Sequence, residues 1–422
     1  DNPGATYPYW SWKTAAPDIQ TAINAAYDGA EVIVSNGVYV PPAKITILQP
    51  IHVRSASGNW DDVVIDGANK FTGALVTLNN GGCLSGVTVT RGRVSGEEGG
   101  SGILMRGVSC IVSNCHITAN SATDSNRSSG TGILMFNGTV RDCLIDKNEG
   151  RGPMRGMGVH IVAGLIERCV IVDNYRTWTE KPVNNDWHTG GGLYMDGGTA
   201  RNCVIARNDC GTFTPITMVE ATGVYIRGSS ARMYNCIVSG NSHAGNAHNL
   251  IYAFYNAAGT GPVIANCVIE GNYSSSDGAE NSIGGKRSVF RNCALPEAFT
   301  NGTQNATVIT AADYALRNDG YPLLPAGSGL VDAGGTFDWT EADTDLYGNP
   351  RIGGTAVDIG PVERQSGAFA VSFDTERYDS LGAFSATLTA AVENAGTAPE
   401  VVYYWDLDGD GIAEPENSGA GK

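Results

Sequence analysis

The sequence predicts an all-β chain: a right-handed parallel β-helix of about a dozen coils with an N-terminal capping helix, then a partial β-sandwich segment. The first observation is a returning phrase of a polar residue, Cys, two mostly apolar residues, and Asn five positions after the Cys. It stands at Asn114-Cys115 to Asn120, Asp142-Cys143 to Asn148, Arg168-Cys169 to Asn174, Asn202-Cys203 to Asn208, Asn235-Cys236 to Asn241 and Asn266-Cys267 to Asn272. Asn292-Cys293 closes the series without its Asn, and Cys83 reads as a degenerate earlier copy. The second observation is a Gly-led apolar stretch in each repeat, as in Gly102-Ile103-Leu104-Met105, Gly158-Val159-His160-Ile161, Gly192-Leu193-Tyr194-Met195 and Gly223-Val224-Tyr225-Ile226. The third is the period: the cysteines of this phrase, from Cys115 to Cys293, follow one another at 26 to 34 residues. That is too short for a propeller blade of about 40 residues. It also leaves no room for the crossover helix of a βαβ unit.

The elements follow in chain order. Pro17 to Tyr27 places Ile19, Ile23 and Ala26 on one helical face, with Pro at the first turn and Asp28-Gly29 at the end. Such a helix can cover the open first coil, whose strand edges are otherwise unpaired. Strands are expected at Glu31–Val34, Ile45–Leu48, Val63–Ile65 and Leu75–Leu78, all short and rich in Val and Ile. From there each coil contributes one stretch after the Gly and one around the Cys. Like residues then stack on like, and each Asn can bridge to the Asn of the next coil. Coils spaced about 4.8 Å apart give a rod roughly 55 Å long.

The periodicity also governs the ten cysteines. Eight read as ladder positions, leaving Cys110 and Cys210 outside. In-register neighbours about 4.8 Å apart suit buried thiols better than disulfides, whose Cβ atoms sit about 3.5–4.5 Å apart. A zinc site lacks both a CxxC pair and a neighbouring His set.

The ends of the repeat carry a family resemblance. Trp12-Lys13-Thr14-Ala15-Ala16-Pro17-Asp18-Ile19-Gln20, the run Asp345-Leu346-Tyr347-Gly348-Asn349-Pro350-Arg351-Ile352 and Val357-Asp358-Ile359-Gly360 resemble the two ends of bacterial surface proteins of the pectin-lyase-like β-helix superfamily. The resemblance covers residues 8–363 and implies architecture. Neither the Asp-His pairs of the superfamily's epimerases nor the clustered acids of its polygalacturonases stand as intact motifs, so no catalytic position transfers from it. Beyond Val362-Glu363 the pattern changes, dividing the chain into 1–363 and 364–422. Tyr403-Tyr404-Trp405-Asp406-Leu407-Asp408-Gly409-Asp410-Gly411 resembles the core of a PKD-type immunoglobulin-like module, which implies a piece of a longer protein. Asp406, Asp408 and Asp410 copy the opening of a Ca2+ loop, but the twelfth position is Asn417 and not a bidentate Glu. An acidic turn is the competing reading.

Charge divides the same way. Residues 1–300 hold 22 basic and 24 acidic residues, and residues 301–422 hold 5 and 19, so most of the net −16 belongs to the C-terminal part. No basic stripe invites nucleic acid, and no run of about 18 apolar residues invites a membrane-spanning helix. Low Lys content with abundant Asn, Gly, Ser and Thr, and a chain starting at Asp1 as after processing, point to an extracellular or cell-surface protein.

Repeat length varies between the ladder Asn and the next Gly-led strand, so insertions are expected side by side along one edge. Such a row forms a groove suited to a linear polysaccharide. The richest insertion, Tyr175 to His188, offers Trp178 and Trp187 as stacking faces. A lyase acting on a uronate needs a cation and a base, for which Arg176, Lys181 and His188 qualify, with Arg151 and Arg155 as carboxylate clamps. A glycosidase needs two carboxyls about 5–9.5 Å apart, for which Asp186, Asp209 and Glu220 qualify. The competing function is a non-catalytic adhesin or stalk that binds glycans. An enzyme requires titratable side chains converging in a cleft, whereas an adhesin requires only a face of aromatic and Asn side chains.

Overall fold

The computed structural model describes residues 4–365 apart from 96–98, 124–128, 152–154, 178–189, 211–219, 244–250, 259–260, 275–282, 286–288, 297–306, 309–312 and 326. Beyond 365 it describes the strands Ala370–Asp374, Thr389–Glu393, Val401–Tyr403 and Gly419–Gly421. The chain forms two compact units, Asp1–Arg364 and Gln365–Lys422.

The first unit is a parallel β-solenoid. Among the described residues it has sheets of nine, ten and eleven strands, against the dozen coils expected. The nine-stranded sheet holds the Gly-led strands, such as Ile103–Met105, Ile133–Met135 and Leu193–Met195, and is called the glycine sheet here. The stretch around each Cys is two strands, one on each side, and not one. The reason lies in the polar residue before the Cys. Asn114, Asp142, Arg168, Asn202, Asn235, Asn266 and Asn292 all have φ between 48° and 55°, a left-handed conformation that breaks the strand. Ile111–Ser113 thus belongs to a pre-cysteine sheet and His116–Thr118 to a post-cysteine sheet. A second left-handed residue, such as Ala119, Lys147 or Arg207, turns the chain again just before each ladder Asn.

The interior is built of columns in strict register. Ile103, Ile133, Val159, Leu193 and Val224 stack in one, Met105, Met135, Ile161, Met195 and Ile226 in another, all fully buried. The cysteine corner is a third, with each thiol donating to the carbonyl two residues back, as from Cys169 Sγ to Glu167 O at 3.2 Å. All ten cysteines are free thiols, nine of them buried, and burial pushes Cys203, Cys236 and Cys267 well up from the ordinary thiol value. Cys83 is not a ladder member. It opens the pre-cysteine strand Cys83–Ser85 opposite Ile111, half-exposed. Val87 holds the corner of that coil, accepting from His116 N as Cys115 does from Leu144 N.

The expected Asn bridges form a continuous chain. Asn120, Asn148, Asn174, Asn208 and Asn241 each donate from Nδ2 to Oδ1 of the next Asn at 2.8–3.0 Å. The residues after each ladder Asn, read as the start of an insertion, form a fourth short sheet through Arg93–Val94, Ser121–Ala122, Glu149–Gly150 and Tyr175–Arg176.

Helix α1 (Ile19–Ala25) lies over the first coil, burying Ile19 and Ile23, with Asp18 accepting from Thr21 N at 2.8 Å as its N-cap. Gln20 pairs with the open edge of the glycine sheet: its Oε1 accepts from Thr46 N (2.7 Å) and its Nε2 donates to Thr46 O (3.2 Å). No helix among the described residues is long and apolar enough to cross a membrane.

Residues 313–364 do more than close the last coil. They run along the outside of the post-cysteine sheet, where Leu346 packs on Val170 and Val204, and Ile359 on Ile237 and Val268. The left-handed Asn residues of the later coils grip this segment. Asn202 Nδ2 donates to Asp343 Oδ2 (2.7 Å), and Asn266 exchanges hydrogen bonds with Gly335 (2.8 and 2.9 Å). In the second unit, Ala370–Asp374 pairs antiparallel with Thr389–Glu393, and Val401–Tyr403 with Gly419–Gly421. Asp406, Asp408 and Asp410 lie outside the described residues.

Candidate functional site

Strand alternation gives the glycine sheet an outward column between its two inward ones. Its members in register are Leu104, Leu134, His160, Tyr194, Tyr225 and Tyr255. The tyrosines stack face to face, with ring centroids 5.1 Å apart for Tyr194–Tyr225 and 5.3 Å for Tyr225–Tyr255. His160 meets Tyr194 edge-on at 4.9 Å. Two residues further on, the next outward position carries Asp196 and Arg227.

These side chains converge across neighbouring coils. His160 Nε2 lies 2.9 Å from Asp196 Oδ2, and Arg227 Nη1 lies 3.3 Å from Asp196 Oδ1. The Arg155 guanidinium sits 5.8 Å from the centre of the Tyr194 ring, a cation–π contact. Because a carboxylate only accepts, the contact with Asp196 places the His160 proton on Nε2 and leaves a lone pair on Nδ1. Among the described residues, that Nδ1 and the Tyr194 hydroxyl are buried without a hydrogen-bond partner, with the Arg227 guanidinium near the hydroxyl. Buried polar atoms of this kind are costly unless a ligand or water completes them.

Electrostatics agree with the geometry. Burial holds His160 below its ordinary value, with Asp196 opposing, so the ring is neutral at pH 7. Burial raises Asp196, but the His160 hydrogen bond and the nearby arginines outweigh it and hold the carboxyl below its usual range. Burial pushes Tyr194 up to about 12. A histidine depressed in the fold stabilises it fully above the unfolded value of about 6.5, and that contribution is lost as pH falls from there through the folded value. His160→Gln is therefore expected to flatten the pH dependence of stability just below pH 6.5, read by urea denaturation at a series of pH values. An unchanged slope would remove His160 from the titration.

The residues singled out in the sequence fall in several places. Arg155 belongs to the convergence just described. Arg151 is exposed and donates to Glu149 Oε1 at 2.7 Å. Arg176 is buried, in the strand Tyr175–Arg176 of the fourth sheet. Asp209 is half-buried, bridging that sheet edge between Tyr175 and Ser242. The Glu220 backbone opens the strand Glu220–Ile226 of the glycine sheet, opposite Ile251. Trp178, Lys181, Asp186, Trp187 and His188 lie outside the described residues. No group of three or more His, Cys, Asp or Glu that could hold a metal occurs among the described residues.

The His160–Asp196 pair escapes a sequence reading because its members lie 36 residues apart, one coil plus one long insertion. The usable signal was the middle position of each Gly-led tetrad, where His160, Tyr194 and Tyr225 replace the earlier leucines.

No protein-family model matches the chain, and no curated protein does. Among solved structures, a crystal structure of pectate lyase Pel9A is similar over 82% of this chain and 90% of that one, at 15% sequence identity and a TM-score of 0.45.

Proposed function

We propose that this chain is an extracellular protein acting on an acidic polysaccharide by β-elimination, at the outward face of the glycine sheet around Arg155, His160, Asp196 and Arg227. The observation that carries the reading is the convergence of two guanidinium groups and a carboxylate-held imidazole beside stacked tyrosines. In this proposal Arg155 and Arg227 pair with the uronate carboxylate and so acidify the adjacent C–H. The Nδ1 lone pair of His160 accepts that proton, and Tyr194, protonated at neutral pH, supplies one to the departing glycosidic oxygen. Hydrolysis needs two carboxyls, and among the described residues Asp196 is the carboxylate at this convergence. Asp186, Asp209 and Glu220 remain the proposed pair-formers for hydrolysis.

The segment 178–189 joins Arg176 to the strand that carries Tyr194. The proposal therefore includes Trp178 and Trp187 as stacking faces and Lys181 and His188 as further polar groups. The C-terminal unit serves as a PKD-like spacer, and Ca2+ at Asp406, Asp408 and Asp410 belongs to the same proposal.

One observation favours a second reading, a surface adhesin that binds glycan without turnover. His160 is 4% exposed and Tyr194 0%, whereas Arg227 stands at the surface with its side chain 53% exposed. A screen of acidic and neutral polysaccharides, following reducing ends and the ultraviolet absorbance of unsaturated uronate, separates the readings. Elimination is expected on an acidic substrate, falling about 10²-fold or more in Arg227→Ala and His160→Gln. Reducing ends without absorbance would replace elimination by hydrolysis. Binding without turnover would establish the adhesin.

A further inference from the structure

A concave surface lies toward the start of the first unit, where residues 7–16 face α1 and the strand Glu31–Val34. It encloses about 820 Å³, within the range of small-ligand sites. Its large side chains are Tyr7, Tyr9, Trp10, Trp12 and Tyr27, and Glu31 stands among them. Ala22, Ala25 and Ala26 of α1 and the turn after it form the floor, and their small size leaves the space open.

The exposure is unusual in kind. Trp10 is 88% exposed, Tyr27 78%, Tyr7 70% and Trp12 60%. Apolar surface left in water on this scale marks an interaction site. Among the described residues lining the space, Pro8, Val32 and Ile33 join aromatic members that are all Tyr and Trp. Each pairs an apolar ring face with a polar edge, which suits a ring that has one apolar face and a rim of hydroxyls. Charge narrows the class. Among the described residues lining the space, Glu31 is the one carboxylate and none is Arg or Lys, and Arg54 outside the lining already pairs with Glu31 at 2.9 Å. An anionic sugar would meet Glu31 without a compensating cation.

We propose that this cavity binds a neutral glycan, with one or two pyranose rings stacked on Trp10, Trp12 and Tyr27 and a hydroxyl donating to Glu31. It is chemically distinct from the arginine-bearing face of the glycine sheet, and it would tether the protein to a neutral polymer while that face engages an acidic one.

The test is calorimetric titration of the full chain with cellohexaose, mannohexaose, xylohexaose and hexagalacturonate, with sedimentation velocity run alongside. At least one neutral hexasaccharide is expected to bind saturably. Trp10→Ala and, separately, Tyr27→Ala should weaken it about tenfold, while Arg227→Ala leaves it unchanged. Both aromatic side chains are largely exposed, and circular dichroism of each variant checks that the fold is retained. No saturable heat with any neutral hexasaccharide would overturn the proposal, as would binding of hexagalacturonate alone or binding indifferent to both aromatic variants. Concentration-dependent association abolished by Trp10→Ala, without glycan binding, would reassign the surface to self-association and likewise overturn it.

Discussion

Asn174→Ala is expected to destabilise the solenoid by about 2–6 kcal/mol, measured as a shift of the urea midpoint. Asn174 sits in the middle of the asparagine chain and is fully buried. Its Nδ2 donates to Ile145 O, Val172 O and Asn208 Oδ1, and its Oδ1 accepts from both Asn148 N and Asn148 Nδ2. Alanine leaves two buried donors of Asn148 without that acceptor, each costing about 1–3 kcal/mol. At the first rung, Asn120 Oδ1 accepts from Gly92 N, a single backbone donor. Asn120→Ala should therefore cost about half as much. Equal effects at the two rungs would show that orphaned donors do not set the cost.

Arg351→Met is expected to cost about 3–5 kcal/mol, the range for breaking one side of a buried ion pair, and to release the closing segment to protease ahead of global unfolding. Arg351 is 1% exposed. Its Nη2 donates to Asp358 O (2.9 Å) and lies 3.6 Å from Glu363 Oε2, and the Asn235 amide, once turned so that its oxygen faces the guanidinium, accepts from Nη2 (3.0 Å) and Nε (3.2 Å). Removal takes the guanidinium away from the buried Glu363 carboxyl, which keeps its bonds from Gly353 N and Asp358 N. The acids around it are committed elsewhere: Asp345 accepts from Tyr347 N, Asn349 N and Glu363 N, and Asp358 from Asp332 N and Arg364 N. A midpoint unchanged by the substitution would mean that apolar packing on the post-cysteine sheet holds the segment alone. These contacts also give a physical reason for the run Asp345 to Ile352 and for Val357 to Gly360. Their polar residues satisfy backbone donors in a segment that forms little regular sheet.

Much of the fold was legible because the solenoid repeats one local decision many times. A Gly-led apolar tetrad, a left-handed polar residue before Cys and an Asn five positions on recur at each coil, and parallel register follows from stacking like on like. The amphipathic helix before the first strand was readable for the same reason, since its pattern is local. The misreadings were local too. The pattern reads as one strand around each Cys where the left-handed residue before it makes two, because φ > 0 at a polar residue occurs in many settings and the ladder compels it here. Cys83 was placed on the ladder by residue type, although Gly86 and Val87 hold the turn and corner of that coil.

The site was less legible, for a geometric reason. Arg155 is legible from its place on an insertion. His160 reads in sequence as a member of a Gly-led strand, because its partner Asp196 belongs to the following coil, behind an insertion whose length the repeat does not constrain. The sequence by itself determined the period, the interior columns, the asparagine chain and the capping helix, all of which depend on residue spacing within one coil. Only the tertiary structure decided which outward side chains of successive coils meet, and which buried groups anchor the closing segment. Those contacts run across coils and through insertions of variable length, where separation along the chain no longer reports distance in space.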